Sequence, residues 1–194
     1  MGKIDNLLGM TLVMCLSAAS FSGMAKAQEL LPYKNPSLPV EERVQDLLQR
    51  MTLEEKVDQL NMKSLNALRI DEKGAVTDSS LIKLFQGRSI GCLESPFVEH
   101  SKVALYSEAA DHYLRTQTRL GIPAIQIAEC LHGQMALGTT IFPQAIGLGS
   151  TWNPDLVRQM AAVIAEEASL SGVDQALSPL FDLARDPRYG RVEE

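Results

Sequence analysis

The residue best suited to ligand chemistry in this 194-residue chain is Glu129, near the end of the stretch LGIPAIQIAECLHG at Leu120 to Gly133. A Gly-Ile-Pro turn opens the stretch, and an apolar run, Ala124 to Ala128, leads to the carboxylate. The run is too short for a helix, so it predicts a strand buried on both faces with a charge at its carboxyl end. In parallel α/β folds, ligands bind at that end of the strands. Glu129 is therefore a candidate binding residue.

A second carboxylate, Asp182, lies near the end of another run that predicts a strand, Gln175 to Leu183. The simpler interpretation of Asp182 is structural, because a carboxylate at such a position readily accepts hydrogen bonds from its own loop. That loop contains Arg185, Asp186 and Arg188. We expect these three residues to form a local network of ion pairs and backbone hydrogen bonds that shapes the loop.

The cysteines and histidines give no signature of a metal or cofactor site. Cys92 and Cys130 each lie at the end of a predicted strand, so a disulfide is possible if the strands are neighbours in an oxidising compartment. The alternative is two buried free thiols, since free Cys behaves as a small apolar residue. His132 stands alone beside Gly133 and is expected to be a hydrogen-bonded structural group rather than a metal ligand. We predict no cofactor and no metal.

Helical and strand patterns alternate along the chain. The predicted helices are Val40 to Met51, a second one with a Thr52–Glu55 capping box, Asp78 to Gln86, Ser101 to Arg119, and one from Pro154 to Ser171 that Asn153 can cap. The predicted strands are Ser89 to Leu93, Ala124 to Ala128 and Gln175 to Leu183. We expect the first two helices, a helical leader, to cover apolar surface. The order predicts an α/β fold, and polar groups at successive strand ends favour a partial (β/α)8 TIM-type barrel. No G-x-G-x-x-G turn follows a strand, which argues against dinucleotide binding.

The first 27 residues have the composition of a secretory signal peptide. A basic start is followed by an apolar core, Leu7 to Ala19, and by the small-residue site Ala25-Lys26-Ala27. The core is too short and too interrupted by polar and small residues to be preferred as a membrane span. Cys15 suggests a lipoprotein as a minor alternative. We predict an exported protein, periplasmic or extracellular, with no membrane association beyond the signal peptide.

Composition excludes one class of partner and supports a folded chain. The formal net charge is −6 and the hydrophobic content is 45%, which is ordinary for a globular protein. Lys and Arg do not cluster as contacts to phosphates require, so no nucleic-acid partner is predicted. We divide the chain into the signal peptide at 1–27, an extended leader at 28–39 and a barrel portion at 40–194.

Four blocks of the sequence, in this order, resemble the amino-terminal barrel of glycoside hydrolase family 3, which contains secreted β-glucosidases and β-xylosidases. The blocks are VEERVQDLLQRMTLEEKVDQL, RLGIPAIQIAECLHG, FPQAIGLGSTWNPDLV and SPLFDLARDPRYGRVEE, and they cover about Glu41 to Glu194. The resemblance implies an exo-acting retaining β-glycosidase that hydrolyses O-glycosidic bonds in β-glucosides or β-xylosides. Its partner would be a small-molecule or oligosaccharide substrate. The sequence does not define an oligomeric state.

The resemblance also implies roles for two residues. The family's carboxylate three residues before the His-Gly pair holds sugar hydroxyls, and here that position is Glu129. The last Arg of the family's R-D-P-R-W-G-R motif reaches the same sugar, and here it is Arg191. A carboxylate accepts two adjacent hydroxyl protons, and a guanidinium donates in a fixed fork. Many family members have Asp at the first position and an Arg six residues later, where this chain has Met135, a form associated with xylosidase-like members. Tyr189 replaces the commoner Trp.

The resemblance places the catalytic pair outside this sequence. A retaining glycosidase needs two carboxyl groups about 5 Å apart, and the family's nucleophilic Asp and acid/base Glu are expected beyond Glu194. We therefore do not assign Glu129 and Asp182 as that pair, and we expect the 194-residue polypeptide alone to be inactive. The alternative is a non-catalytic sugar-binding protein or a vestigial, truncated one.

Overall fold

The computed structural model describes residues 30–183 and 185–191. The predicted signal peptide, residues 1–27, lies outside this part of the chain. None of the helices within it combines the length and the apolar character that crossing a membrane requires.

Four short strands form one parallel sheet. They are β1 (Met62–Ser64), β2 (Cys92–Glu94), β3 (Ile125–Ala128) and β4 (Gln175–Ala176). Each strand pairs with the next one in the chain, so the order is β1-β2-β3-β4. Parallel strands in chain order with helices between them are the arrangement of a (β/α)8 barrel. The predicted α/β class and partial barrel are confirmed, and the described strands form an open sheet.

Six α-helices accompany the sheet in the described ranges. They are α1 (Val40–Arg50), α2 (Leu53–Asp58), α3 (Asp78–Phe85), α4 (His100–Gln117), α5 (Ala145–Gly149) and α6 (Pro154–Leu170). The predicted capping box is present, because the Glu55 amide donates to Thr52 Oγ1 at 3.2 Å and the Thr52 amide donates to Glu55 Oε2 at 2.9 Å. Asn153 caps α6 by accepting from the Leu156 amide at 3.0 Å. Polar residues at the expected spacing thus begin these two helices.

The strand predictions need three corrections. β1 was not predicted, because its sequence, Met-Lys-Ser, is short and has no apolar run. β2 lies at Cys92–Glu94, further along the chain than the predicted Ser89 to Leu93. The strand predicted for Gln175 to Leu183 ends at Ala176. Pro179 interrupts the rest of that run, since proline has no amide hydrogen to donate to a neighbouring strand.

Burial corrects two further expectations and supports a third. The leader at 28–39 is not simply an extended surface segment, because Pro32–Lys34 form a 3-10 turn and the buried Tyr33 hydroxyl donates to the Leu120 carbonyl at 2.7 Å. Helices α1 and α2 contain no buried residue, and of the predicted pair only Met51, between them, is buried, so they cover little apolar surface in the described residues. The strand β3 is buried on both faces from Gln126 to Ala128, as predicted, and is exposed only at its first residue, Ile125, at 47%.

Apolar packing forms two clusters, both on the helix-facing side of the sheet. The larger one joins β2 to α3 and α4 around Leu93, and the rings of Phe85 and Tyr113 stack there with centroids 5.2 Å apart. The smaller cluster joins the end of β3 to α6. Its members are Ala128, Cys130, Met160, Ile164 and Ala168. Helices on one side of the sheet therefore hold β2 and β3 in place.

Side chains along the strands alternate between a helix-facing side and an opposite face. Leu93 packs against α3 and α4, while Ala128 packs against α6, so both lie on the helix-facing side. The residues that alternate with these along each strand point to the opposite face, which corresponds to the interior of a barrel. We call it the inner face. It contains Met62, Ser64, Cys92, Glu94, Ile125, Ile127 and Gln175, as the register shows.

Candidate functional site

Glu129 follows β3 directly and continues the inner face. Its two neighbours, Ala128 and Cys130, both pack against α6, so the alternation directs Glu129 the other way. The residue is half-buried. Within the described ranges, its carboxylate forms no hydrogen bond or ion pair. Glu129 is therefore a charged acceptor at the carboxyl end of a parallel strand, where the sequence predicted it.

The neighbouring thiol has the opposite character. Cys130 is buried, with 2% of its surface exposed. Burial raises the pKa of the Cys130 thiol to about 11, and the nearby Glu129 carboxylate adds to that shift. The thiol is therefore neutral near pH 7 and is a packing group rather than a nucleophile.

The possible disulfide is absent and both cysteines are free thiols; Cys130 is buried, as the alternative predicted, whereas Cys92 is only half-buried. Cys92 pairs with Ile125 at the beginning of β3, whereas Cys130 lies beyond the end of that strand. Cys130 is five residues further along the chain than Ile125, the partner of Cys92, which is about 16 Å along the strand direction at 3.3 Å per residue. A disulfide requires Cα atoms within about 7 Å, so neighbouring strands do not bring these cysteines together.

The turn that follows Glu129, residues 130–142, folds back on itself. The Met135 amide donates to the carbonyl of Glu129 at 2.9 Å. Two hydrogen bonds connect His132 and Phe142. The Phe142 amide donates to the His132 carbonyl at 2.7 Å, and Nδ1 of His132 lies 3.0 Å from the Phe142 carbonyl oxygen. The expected structural role of His132 is confirmed. We call this segment the Glu129 turn.

One glycine allows the Glu129 turn to be this tight. Gly133 has a φ of +145°, which side chains of L residues rarely adopt. A Cβ atom at this position would lie 2.4 Å from the carbonyl oxygen of Thr140. The His-Gly pair therefore has a backbone explanation in addition to its place in the motif.

Two polar contacts tie the Glu129 turn to α6. The buried Gln134 amide nitrogen donates to Ser171 Oγ at 2.7 Å, just after the helix ends. Thr140 donates through its amide to Glu167 Oε2 at 2.9 Å and through its hydroxyl to Glu167 Oε1 at 2.7 Å. The residues between β3 and α6 are thus anchored and not a free loop.

The structure adds Glu94 as a candidate site residue that the sequence analysis missed. Glu94 ends β2, is half-buried and lies on the inner face, paired in register with Ser64 and Ile127. Glu129 is two residues beyond Ile127, so the backbones of the two glutamates are about 8 Å apart by strand spacing and rise. No ion pair of Glu94 occurs in the described part of the chain. The predicted strand, Ser89 to Leu93, ended one residue before Glu94. Extending the prediction by one position would have indicated Glu94 as a strand-end carboxylate.

The second candidate carboxylate, Asp182, has the structural role that was expected of it. It is exposed, and the Tyr189 hydroxyl donates to its Oδ2 at 3.3 Å. In the same loop Asp186 accepts from the amide of Arg188 and from its Nε, both at 2.9 Å. This guanidinium lowers the pKa of Asp186 below its ordinary value. Arg185 takes part through its amide, which donates to the Leu183 carbonyl at 2.7 Å.

Arg191 is exposed at the end of the described residues. It follows Gly190, whose φ of +81° ends the 3-10 turn at Pro187–Tyr189. Its approach to the same sugar as Glu129 stays a prediction. No group of three or more His, Cys, Asp or Glu side chains that could hold a metal occurs within residues 30–183 and 185–191.

Met135, the position where many family members are expected to have Arg, lies on an apolar rim. Its side chain is 46% exposed. It lines a hollow of about 430 Å³ together with Phe97, Ala136, Leu137 and Ile141. The rim beside the Glu129 turn therefore presents apolar surface in place of a cation.

Known proteins resemble the chain in sequence and in fold. Residues 52–194 match the sequence model of the glycosyl hydrolase family 3 N-terminal domain. A putative β-xylosidase of Formosa agariphila is 36% identical over 84% of the chain, which covers 22% of that protein. A periplasmic β-glucosidase of Salmonella typhimurium is 29% identical over 78% of the chain and 18% of its own length. The solved structure of a β-glucosidase from Erythrobacter marinus superposes with a TM-score of 0.66 at 31% identity, covering 86% of this chain and 22% of that one.

The chain thus spans about a fifth of the length of these relatives. The matched residues, 52–194, include all four strands. Helix α1 and the 3-10 turn of the leader precede them. The sheet, Glu129 and Arg191 therefore all fall within the matched region. The chain belongs to glycosyl hydrolase family 3.

Proposed function

We propose that this chain is part of an exo-acting retaining β-glycosidase, which hydrolyses O-glycosidic bonds in β-glucosides or β-xylosides. The observation that supports it most is Glu129, a half-buried carboxylate on the inner face at the carboxyl end of β3. Relatives that are named β-xylosidases and β-glucosidases agree with this substrate class.

The proposed task of Glu129 is to hold the sugar. A carboxylate can accept hydrogen bonds from two adjacent hydroxyl groups, and its charge strengthens both bonds. Half-burial strengthens them further, because less water competes for the oxygens. Arg191 is proposed to donate to the same sugar, and Glu94 provides a second acceptor on the same face. The ring would then be fixed in one orientation for attack.

The proposal assigns binding to these residues and bond cleavage to others. The nucleophilic Asp and the acid/base Glu are expected beyond residue 194, so turnover is proposed for the longer protein. We also propose the division into a signal peptide at 1–27, a leader at 28–39 and a barrel portion at 40–194, with export to the periplasm or the extracellular space. The periplasmic relative supports export.

Replacing Glu129 tests the proposal. In the protein encoded by the complete reading frame, Glu129→Ala removes an acceptor of two charge-assisted hydrogen bonds. Each such bond contributes about 1.5–3 kcal/mol, so kcat/KM for nitrophenyl β-xyloside and β-glucoside should fall by about 100-fold or more. Glu72→Ala, in the exposed segment between β1 and α3, is the control and should be neutral. Unchanged KM and kcat in Glu129→Ala would remove this residue from the site. Sugar binding without turnover in the unmodified protein would favour the non-catalytic alternative.

A further inference from the structure

Glu167 holds the Glu129 turn against α6. It is half-buried in the last turn of that helix, and its two carboxylate oxygens both accept hydrogen bonds from one residue, Thr140, at 2.9 and 2.7 Å. Two bonds to a single charged acceptor fix the orientation of Thr140 as well as its position. The Thr140 amide and hydroxyl lower the pKa of the Glu167 carboxyl, with a smaller contribution from His100. Glu167 is therefore ionised at neutral pH.

A short chain of contacts leads from Thr140 to Glu129. The preceding residue, Thr139, donates through its hydroxyl to the carbonyl of Gln134 at 2.6 Å. Met135, which follows Gln134, donates through its amide to the carbonyl of Glu129 at 2.9 Å. A movement of Thr140 away from α6 would therefore shift the backbone that carries the Glu129 side chain.

Glu167 also connects α6 to α4. Nε2 of His100 lies 2.8 Å from the Glu167 carbonyl oxygen, and a carbonyl can only accept, so this nitrogen donates. The His100 amide donates in turn to the carbonyl of Leu137, inside the Glu129 turn, at 2.8 Å. The turn, α4 and α6 meet at Glu167, whereas the side chain of its exposed neighbour Glu166 forms no hydrogen bond or ion pair in the described residues.

We infer that Glu167 is a positioning residue for Glu129, which directs the sugar-binding carboxylate through the Glu129 turn without contacting the substrate. The inference rests on the proposed role of Glu129. The separate contact between Gln134 and Ser171 keeps the turn attached to α6 when Glu167 is changed. Loss of Glu167 should therefore loosen the carboxylate without unfolding the protein.

The test uses Glu167→Gln and Thr140→Val in the protein encoded by the complete reading frame. In Glu167→Gln an NH2 group replaces one of the two acceptor oxygens and faces a Thr140 donor, so one hydrogen bond and the negative charge are lost. We expect KM for nitrophenyl β-xyloside or β-glucoside to rise about tenfold. Amide hydrogen exchange at Thr140 should accelerate about tenfold as well, while the midpoint of urea unfolding changes little. Glu166→Gln is the matched control and should alter neither quantity.

Variants at Thr140 separate positioning from general damage. Thr140→Ser keeps the hydroxyl and should restore the unmodified KM, whereas Thr140→Val should raise it. Adding Thr140→Val to Glu167→Gln should increase KM by less than the product of the two single effects, because both changes break the same link. An unchanged KM in both single variants, with KM raised in Glu129→Ala, overturns the inference alone. An unchanged KM in Glu129→Ala overturns the proposed function, and the inference with it.

Discussion

Glu129 and Cys130 are adjacent in sequence and lie on opposite sides of the sheet. The carboxylate is half-buried on the inner face, and the thiol packs among Met160, Ile164 and Ala168. The alternation of side chains along a strand produces this contrast. One of the two residues can therefore bind a ligand while the other holds the strand to its helix.

The buried thiol gives a prediction at the residue scale. With its pKa raised to about 11, Cys130 at pH 8 is ionised to about one part in a thousand. Because only the thiolate is alkylated, iodoacetamide should modify Cys130 at least 100-fold more slowly than it modifies an ordinary exposed thiol of pKa about 8.5. Peptide mass spectrometry of folded protein measures the rate. Above pH 11 the thiolate form predominates, and the rate should rise accordingly.

A second variant identifies the cause of that slow reaction. Burial is the larger cause of the raised pKa and the Glu129 charge the smaller one. The alkylation of Cys130 should therefore stay slow in Glu129→Gln, whereas unfolding in urea should raise the alkylation rate to that of a free thiol. Rapid alkylation of Cys130 in the folded protein would contradict its burial against α6.

At the residue scale, the sequence predicted the position of Glu129 at the end of a strand and gave no indication of Glu167. Glu129 stands out because an apolar run and a recognisable motif both lead to it. The contact of Glu167 joins it to Thr140 across 27 residues of chain, and no local pattern encodes such a pairing. Glu94 was missed for a different reason, since the predicted end of β2 was one residue too early.

The beginning of α2 gives a prediction at the element scale. Thr52 Oγ1 accepts from the Glu55 amide at 3.2 Å, and the Glu55 side chain also pairs with Arg119. Thr52→Ala removes the first contact and leaves the second, so the free energy of unfolding should fall by about 1 kcal/mol. Urea unfolding followed by circular dichroism measures it. Thr52→Ser keeps the hydroxyl and should be close to neutral, and an equal loss in both variants would point to a cause other than capping.

Helices were more predictable from sequence than strands. Capping residues and the 3.6-residue period are local signals, so α1, α2, α3, α4 and α6 were all anticipated, with ends displaced by a few residues. β1 consists of Met62–Ser64 and depends on pairing with β2, which lies about 30 residues away. Its Lys63 extends to the Leu84 carbonyl on α3 at 2.6 Å, so a polar residue occupies the helix-facing side. A short strand with that composition has no pattern of its own.

At the scale of the whole molecule, the exposed apolar surface is the main feature. Helices α1 and α2 present Val44, Leu53 and Val57 to solvent, and Leu60, just after α2, is 87% exposed. The inner face likewise shows Met62 and Ile125 at about half exposure, 53% and 47%. Exposed apolar side chains, where they form a contiguous patch, mark a contact region or a liability to aggregate. The 194-residue polypeptide by itself should therefore behave poorly in solution.

Two measurements on that purified polypeptide test this expectation. It should bind the dye ANS strongly, because apolar side chains on α1, α2 and the inner face are accessible. It should not hydrolyse nitrophenyl β-xyloside or β-glucoside, because the two carboxyl groups about 5 Å apart that retaining hydrolysis needs are expected elsewhere. The protein from the complete reading frame is the comparison and should bind less ANS. Measurable turnover by the 194 residues alone would contradict the proposal.

The alternation of side chains along β3 also limits the insertions and deletions that the chain can accept before Glu129. Deleting one residue between Pro123 and Ala128 would advance every later side chain by one position and exchange the two sides of the sheet. The thiol of Cys130 would then point into the barrel, and the Glu129 carboxylate would be pressed against α6. Insertions and deletions in related genes should therefore be absent before Glu129 and tolerated after Phe142, where the chain is no longer in phase with the strand.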